Sequence, residues 1–178
     1  VTAPDTPPAA AAAGPLAALT AESGAVISSC GTYRYELFRR WAAGPQLAWI
    51  MLNPSTADAT VDDPTIRRCI GFARAWGYGA IVVRNLFALR ATDPRDLGRH
   101  PDPVGPANDL TLLNGVRRRD LTICAWGAHG SFLGRGQAVR QLIAREGLRV
   151  HHLGLTKSGH PRHPLYLPGS ATPQEYKP

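Results

Sequence analysis

The sequence predicts an α/β domain built on a mostly parallel central sheet. Three observations carry this. Apolar runs of strand length recur along the chain, near residues 47–52, 80–83, 121–125 and 148–153. Segments of helical periodicity separate them, and such alternation is the pattern of βαβ units. Each run also stops at polar or small residues, as strands do when they feed loops at one sheet edge.

The elements follow in order. Residues 1–22 are rich in Ala and Pro and nearly without charge, a composition that cannot build a core and reads as a disordered tail. They lack the basic start of a secretory leader. Residues 26–41 read as antiparallel β, with Tyr33, Tyr35 and Leu37 alternating against Arg34, Glu36 and Phe38. After the Gly44-Pro45 turn, residues 47–52 form an unbroken apolar run, expected at the sheet centre. Proline then ends the ladder at Asn53-Pro54 and keeps Asn53 out of the helical region.

Asp63-Pro64 opens a helix, Asp63 as N-cap and Pro64 at the first helical position, where a missing N–H costs nothing. Ile66, Cys69, Ile70 and Ala73 make its apolar stripe, and Gly77 its stop. A strand over 80–83 leads to Arg84-Asn85, then to a long Pro- and Asp-rich loop over 91–104. A helix over 108–119 turns Leu110, Leu113 and Val116 inward, with Asn108-Asp109 capping it. Residues 121–125 end at Trp126-Gly127. A helix over 137–146 carries Val139, Leu142 and Ile143, and residues 148–153 form the last strand. A Lys-, Arg- and His-bearing loop follows over 156–167. The domain is expected over 23–170, with 171–178 a polar tail.

At 178 residues, with 44% hydrophobic and 19% charged, the chain is long and apolar enough for one packed domain. No apolar run is long enough to span a bilayer. The cysteines, Cys30, Cys69 and Cys124, are odd in number and scattered, which excludes a disulfide framework or cluster spacing and suits a reducing cytoplasm. Cys69 and Cys124 sit in apolar surroundings that keep a thiol inert. The net charge of +7 favours a polyanionic partner, nucleic acid or nucleotide, though a soluble basic surface explains it equally. Nothing in the sequence fixes an oligomeric state.

In a parallel sheet the four strand tips share one edge, and that convergence sets the candidate site. Asn53 through Asp58 offers an amide, hydroxyls from Ser55 and Thr56, and a carboxylate. It reads as a site that orients water or substrate and equally as a capping and turn cluster. Asp58, Asp62 and Asp63 suggest a cation cradle, a lesser reading because Asp63 is better used as a cap. Asn85 has an amide suited to a base edge, or to an ordinary turn. Phe87 has a ring suited to stacking, or to the core. Lys157, His160, Arg162 and His163 lie on a Gly/Pro-stiffened loop that suits phosphate or a leaving anion, or is a solvated basic loop. Gly134-Arg135-Gly136 before a helix is a weak anion signal. His151-His152 read as structural strand residues. No nucleotide-binding glycine loop and no nucleophile elbow is present, and no cofactor is expected.

The segments Leu52-Asn53-Pro54-Ser55-Thr56-Ala57-Asp58, Asp62 to Arg68, Asn85 to Pro94, Ala125-Trp126-Gly127 and Lys157 to Tyr166 closely resemble a bacterial and phage family known only as a conserved domain of unknown function. The likeness runs from about Tyr33 to Leu167. More distantly, the order of the tips is similar to the uracil-DNA glycosylase superfamily, above all its mismatch-specific branch. Asn53-Pro54 matches the Asn-Pro of that branch's water-positioning motif, and His163-Pro164 is nearest its DNA-intercalating motif. Leu52, Ser55 and Leu165 depart from those motifs. The resemblance implies a three-layer α/β/α fold and hydrolysis of an N-glycosidic bond. Asn53 would orient water and Asp58 assist. Asn85 and Phe87 would read and stack the base, and Pro54, Ser55, Thr56 and Trp126 would also bind substrate. His163, with Lys157 or Arg162, would stabilise the departing base anion or grip phosphate. A nucleotide-binding module without catalysis and a small-molecule nucleoside enzyme are the other two expectations.

Overall fold

The computed structural model describes residues 22–55 and 61–177. It is an α/β fold on a seven-stranded mixed sheet. The strands are β1 (Glu22–Ile27), β2 (Arg34–Arg40), β3 (Gln46–Met51), β4 (Ala80–Asn85), β5 (Leu121–Cys124), β6 (His151–His152) and β7 (Gln174–Glu175), ordered β1-β2-β4-β3-β5-β6-β7. β3 pairs in parallel with β4 and β5, and β5 with β6; β1, β2 and β7 add antiparallel edges. The parallel centre therefore sends β3, β4, β5 and β6 out at one edge. The helices are α1 (Pro64–Ala75), α2 (Asn108–Arg117) and α3 (Arg135–Arg145). None of the described helices is long and apolar enough to cross a membrane.

β3 shows why the centre is apolar throughout. Leu47, Trp49 and Met51 pack with Ile66, Cys69 and Phe72 of α1, while Ile50 belongs to a second cluster with Leu112 and Val116 of α2 and Val139 and Ile143 of α3. Side chains alternate along a strand, so a strand feeding two clusters has no polar face. α1 begins where its sequence indicates. The Asp63 Oδ1 accepts from Ile66 N–H at 2.8 Å, with Pro64 in the first turn. It ends before Gly77, whose φ of 81° favours glycine. Cys69 and Cys124 are buried, and burial pushes both thiols up; Cys30 is exposed.

Several expectations are corrected. Leu110 is 64% exposed and Leu112 faces inward in its place, while Leu113 and Val116 are buried as expected. Asn108 caps nothing: it is buried, and its Nδ2 donates to the carbonyls of Asn85 and Leu86. The last parallel strand is two residues long. Residues 171–177 are not a free tail, because β7 pairs with β6 and Tyr176 is buried. The tail expected over residues 1–22 lies outside the described residues, except for Glu22, which begins β1.

The buried Arg84 of β4 pairs with Glu36 across to β2 and lies flat beneath Gly115 of α2. A Cβ at Gly115 would overlap the guanidinium. Alanine gains helix propensity of about 1 kcal/mol over glycine, but overpacking costs about 1–3 kcal/mol. Gly115→Ala is therefore expected to lower stability in urea denaturation, and to become neutral or stabilising when combined with Arg84→Met.

Candidate active site at the carboxyl edge of the sheet

Asn53 follows the last residues of β3, and its side chain is pinned. Nδ2 donates to the Ala91 carbonyl at 2.7 Å and to the Pro54 carbonyl at 3.1 Å. The Pro54 carbonyl also accepts from Ala91 N–H at 3.0 Å. The tip of β3 is thus tied to the segment that follows β4, and both amide hydrogens are used. Oδ1 remains, with no bond from any described residue. An amide fixed on its donor side presents its acceptor in one direction.

Leu52, the preceding residue, lines a cleft of about 570 Å³ with Trp126, His129, Arg162, His163 and Tyr166. Pro94, Gly127, Ala128 and Thr156 complete its wall. The volume lies within the range of small-molecule sites. Ser55 and Ala91 line a smaller neighbouring cleft of about 300 Å³, with Arg90 and Thr92. Asn53 is thereby bracketed by the walls of two clefts.

The 154–167 loop reaches the same edge. Gly127 N–H donates to the Pro161 carbonyl at 2.8 Å, which docks the loop on the tip of β5. His163 Nδ1 accepts from Leu165 N–H at 3.4 Å and caps a short 3-10 turn. In the neutral ring that leaves the proton on Nε2. Burial lowers the His163 pKa below the ordinary imidazole range, and the charge of Asp63 opposes that shift. His163 is neutral at neutral pH. Asp63 also accepts from Ser55 Oγ at 2.7 Å, so this carboxylate joins the β3 tip to the α1 start. Arg34, buried at the start of β2, feels the same carboxylate; burial lowers its pKa to about 10.

The expected residues fare differently. Trp126, Arg162 and His163 meet in one cleft, whereas Asn53 and Pro54 are not among the residues that line it. Arg162 is braced by its Nη2 bond to the Tyr166 carbonyl at 3.1 Å. Asn85 is 2% exposed, because the β3–β4 pairing continues beyond the strands: Leu86 and Phe87 N–H donate to the Met51 and Leu52 carbonyls. Phe87 is fully buried against Phe132. Neither presents a base-contacting surface, and both expectations are corrected. Lys157 is exposed and outside the cleft wall. Thr56 and Asp58 lie outside the described residues. The cation cradle loses two members, since Asp62 pairs with Arg39 at 2.7 Å and Asp63 is engaged as above. Arg135 does not serve an anion either: it is buried, donates to the Leu86 carbonyl and pairs with Asp109.

Sequence reading missed Ala91 as the partner of Asn53, Asp63 as a neighbour of His163, and Pro94, His129, Thr156 and Tyr166 as wall residues. Only Tyr166 left a signal, as an aromatic next to the His163-Pro164 pair.

The chain belongs to a protein family described as a protein of unknown function, DUF1643, whose model matches residues 34–165. No curated protein and no solved structure matches the chain.

Because the folded pKa of His163 lies below the unfolded one, its contribution to stability is complete above the unfolded value. It is lost as pH falls through the folded value. Asp63→Asn removes the one charge that raises it. An NMR titration of the imidazole should therefore show a still lower His163 pKa in that variant; an unchanged value would mean that the carboxylate does not act on this ring.

Proposed function

We propose that the chain hydrolyses the N-glycosidic bond of a modified or mismatched base, on a three-layer α/β/α framework like that of the DNA glycosylases. One observation supports this above the rest. Leu52, the residue directly before the amide that follows the central strand, lines the same cleft as an imidazole, His163, from a loop a hundred residues later. Asn53 Oδ1, immobilised by the two bonds on its nitrogen, accepts a hydrogen bond from water and orients it toward C1′. As the water oxygen bonds to C1′, the bond to the base nitrogen breaks and its electron pair leaves with the base. Neutral His163 donates its Nε2 hydrogen bond to that developing anion, the kind of pre-oriented donor that stabilises charge in a transition state. The proton lost by water passes to Asp58 or to solvent.

Two further features favour a nucleic-acid substrate. Leu165 and Tyr166, directly after His163-Pro164, are 42% and 74% exposed, apolar groups where a wedge between bases is needed. The charge of +7 supplies attraction to phosphate during base flipping, which costs a few kcal/mol. A nucleotide-binding module without catalysis is the second reading.

Base release from duplexes carrying uracil, mismatched or hypermodified bases separates the two. Under the catalytic reading, Asn53→Ala and His163→Ala each cut single-turnover release by about 100-fold or more while duplex affinity changes much less. No release from any of these substrates, with duplex binding retained, would instead support the binding module.

A further inference from the structure

The loop that carries His163 borders a second cavity with other residues. This cavity, about 400 Å³, is lined by Gln137, Arg140 and Gln141 of α3, by Ser158 and His160 of the loop, and by Tyr176 after β7. None of these residues lines the cleft at the β3 tip. No carboxylate is among those that line this cavity.

Arg140 is its fixed point. The guanidinium lies 4.3 Å over the Tyr176 ring, and Nη2 donates to the Lys177 carbonyl at 2.5 Å. Its Nε–H is buried and has no partner among the described residues. Tyr176 is itself held by packing on Trp126 and His152, and its hydroxyl donates to the Gly159 carbonyl at 3.1 Å. That last bond ties the loop side of the cavity to the side that holds Arg140. A cation so braced has lost most of its side-chain freedom before any ligand arrives, so little more is lost on binding.

The other groups are donors of matching kind: two carboxamides, a hydroxyl and an imidazole, reaching in from two separate segments. Tyr176 already has one ring face under Arg140, so stacking of a planar ligand is not what this cavity offers. A guanidinium with hydrogen-bond donors around it suits a tetrahedral oxyanion, to which each can give a charge-assisted hydrogen bond. We propose that this cavity is a phosphate-binding site, distinct from the cleft and independent of the base-release reading. The phosphate is a monoester on a small molecule or a diester in a nucleic-acid backbone.

The test is an NMR titration of the full isotope-labelled chain with inorganic phosphate, methyl phosphate and dimethyl phosphate, with chloride as control. Phosphate is expected to shift the side-chain amides of Gln137 and Gln141, the His160 ring and Arg140 Nε–H, and chloride is not. Arg140→Gln is expected to weaken binding by about tenfold or more, the loss of one charge-assisted hydrogen bond. Gln137→Glu places a negative charge at an exposed helix position without disturbing the Tyr176 packing, and is expected to do the same. Tighter binding of dimethyl phosphate assigns the site to a nucleic-acid backbone, and tighter binding of methyl phosphate to a small monoester. Absence of shifts at these residues with all three phosphates, or unchanged affinity in Gln137→Glu, would overturn the proposal.

Discussion

The carboxyl edge of this sheet depends on one side chain, the amide of Asn53. A strand that ends in Asn-Pro cannot continue its ladder, and the chain beyond it needs another anchor. Asn53 supplies it by donating to the carbonyls of Pro54 and Ala91, while Ala91 N–H returns a bond to Pro54. Two hydrogen bonds thus join two loops that ordinary strand pairing no longer holds, and the third turns the Asn53 amide back onto its own neighbour. Part-buried bonds of this kind are worth about 1 kcal/mol each, yet leaving the carbonyls unsatisfied would cost more than making the bonds gains. The constraint also fixes the direction of the one acceptor left on the amide.

Asp63 extends that order to the rest of the edge. One oxygen closes the first turn of α1, and the other takes the Ser55 hydroxyl. Its charge reaches His163 and the buried Arg34. A single carboxylate therefore holds a helix start and a strand tip in mutual register. The same loop is docked on β5 through Gly127 and on the C-terminal segment through Tyr176, so its two sides face two different cavities with little freedom between them.

What the sequence made legible was local. The N-cap Asp63 with Pro64, the apolar run of β3 and the stop at Gly77 were all readable, because each is dictated by neighbours a few residues away. The parallel pairing of β3 with β4 and β5 followed from the intervening helices. The antiparallel pair around residues 26–41 was legible from its alternation, but the β7 edge and the order of the strands were not, since pairing between distant segments leaves no local trace. Asn85 shows the difficulty: polar residues after a strand predict an exposed tip, but two further backbone bonds carry the pairing onward and bury it. Leu110 shows another, where three leucines within one helical turn and a half leave the apolar face ambiguous by one position. Tyr176 lies in a segment whose composition suggests a tail; its burial is set by β6 and α3, far away in the chain. In the candidate site, Asn53 and His163 were singled out by residue chemistry and family likeness, whereas Ala91 as the partner of Asn53 and the composition of the cleft wall needed coordinates.

The central claim is that a pinned amide and a neutral imidazole serve one ligand at one sheet edge. Its most direct test is a structure of the chain bound to an oligonucleotide that carries a flipped, non-hydrolysable base analogue. The account predicts the base between Leu52, Trp126 and His163, with C1′ facing Asn53 Oδ1. A base bound at any other surface, with the cleft beside Asn53 left open, would contradict it.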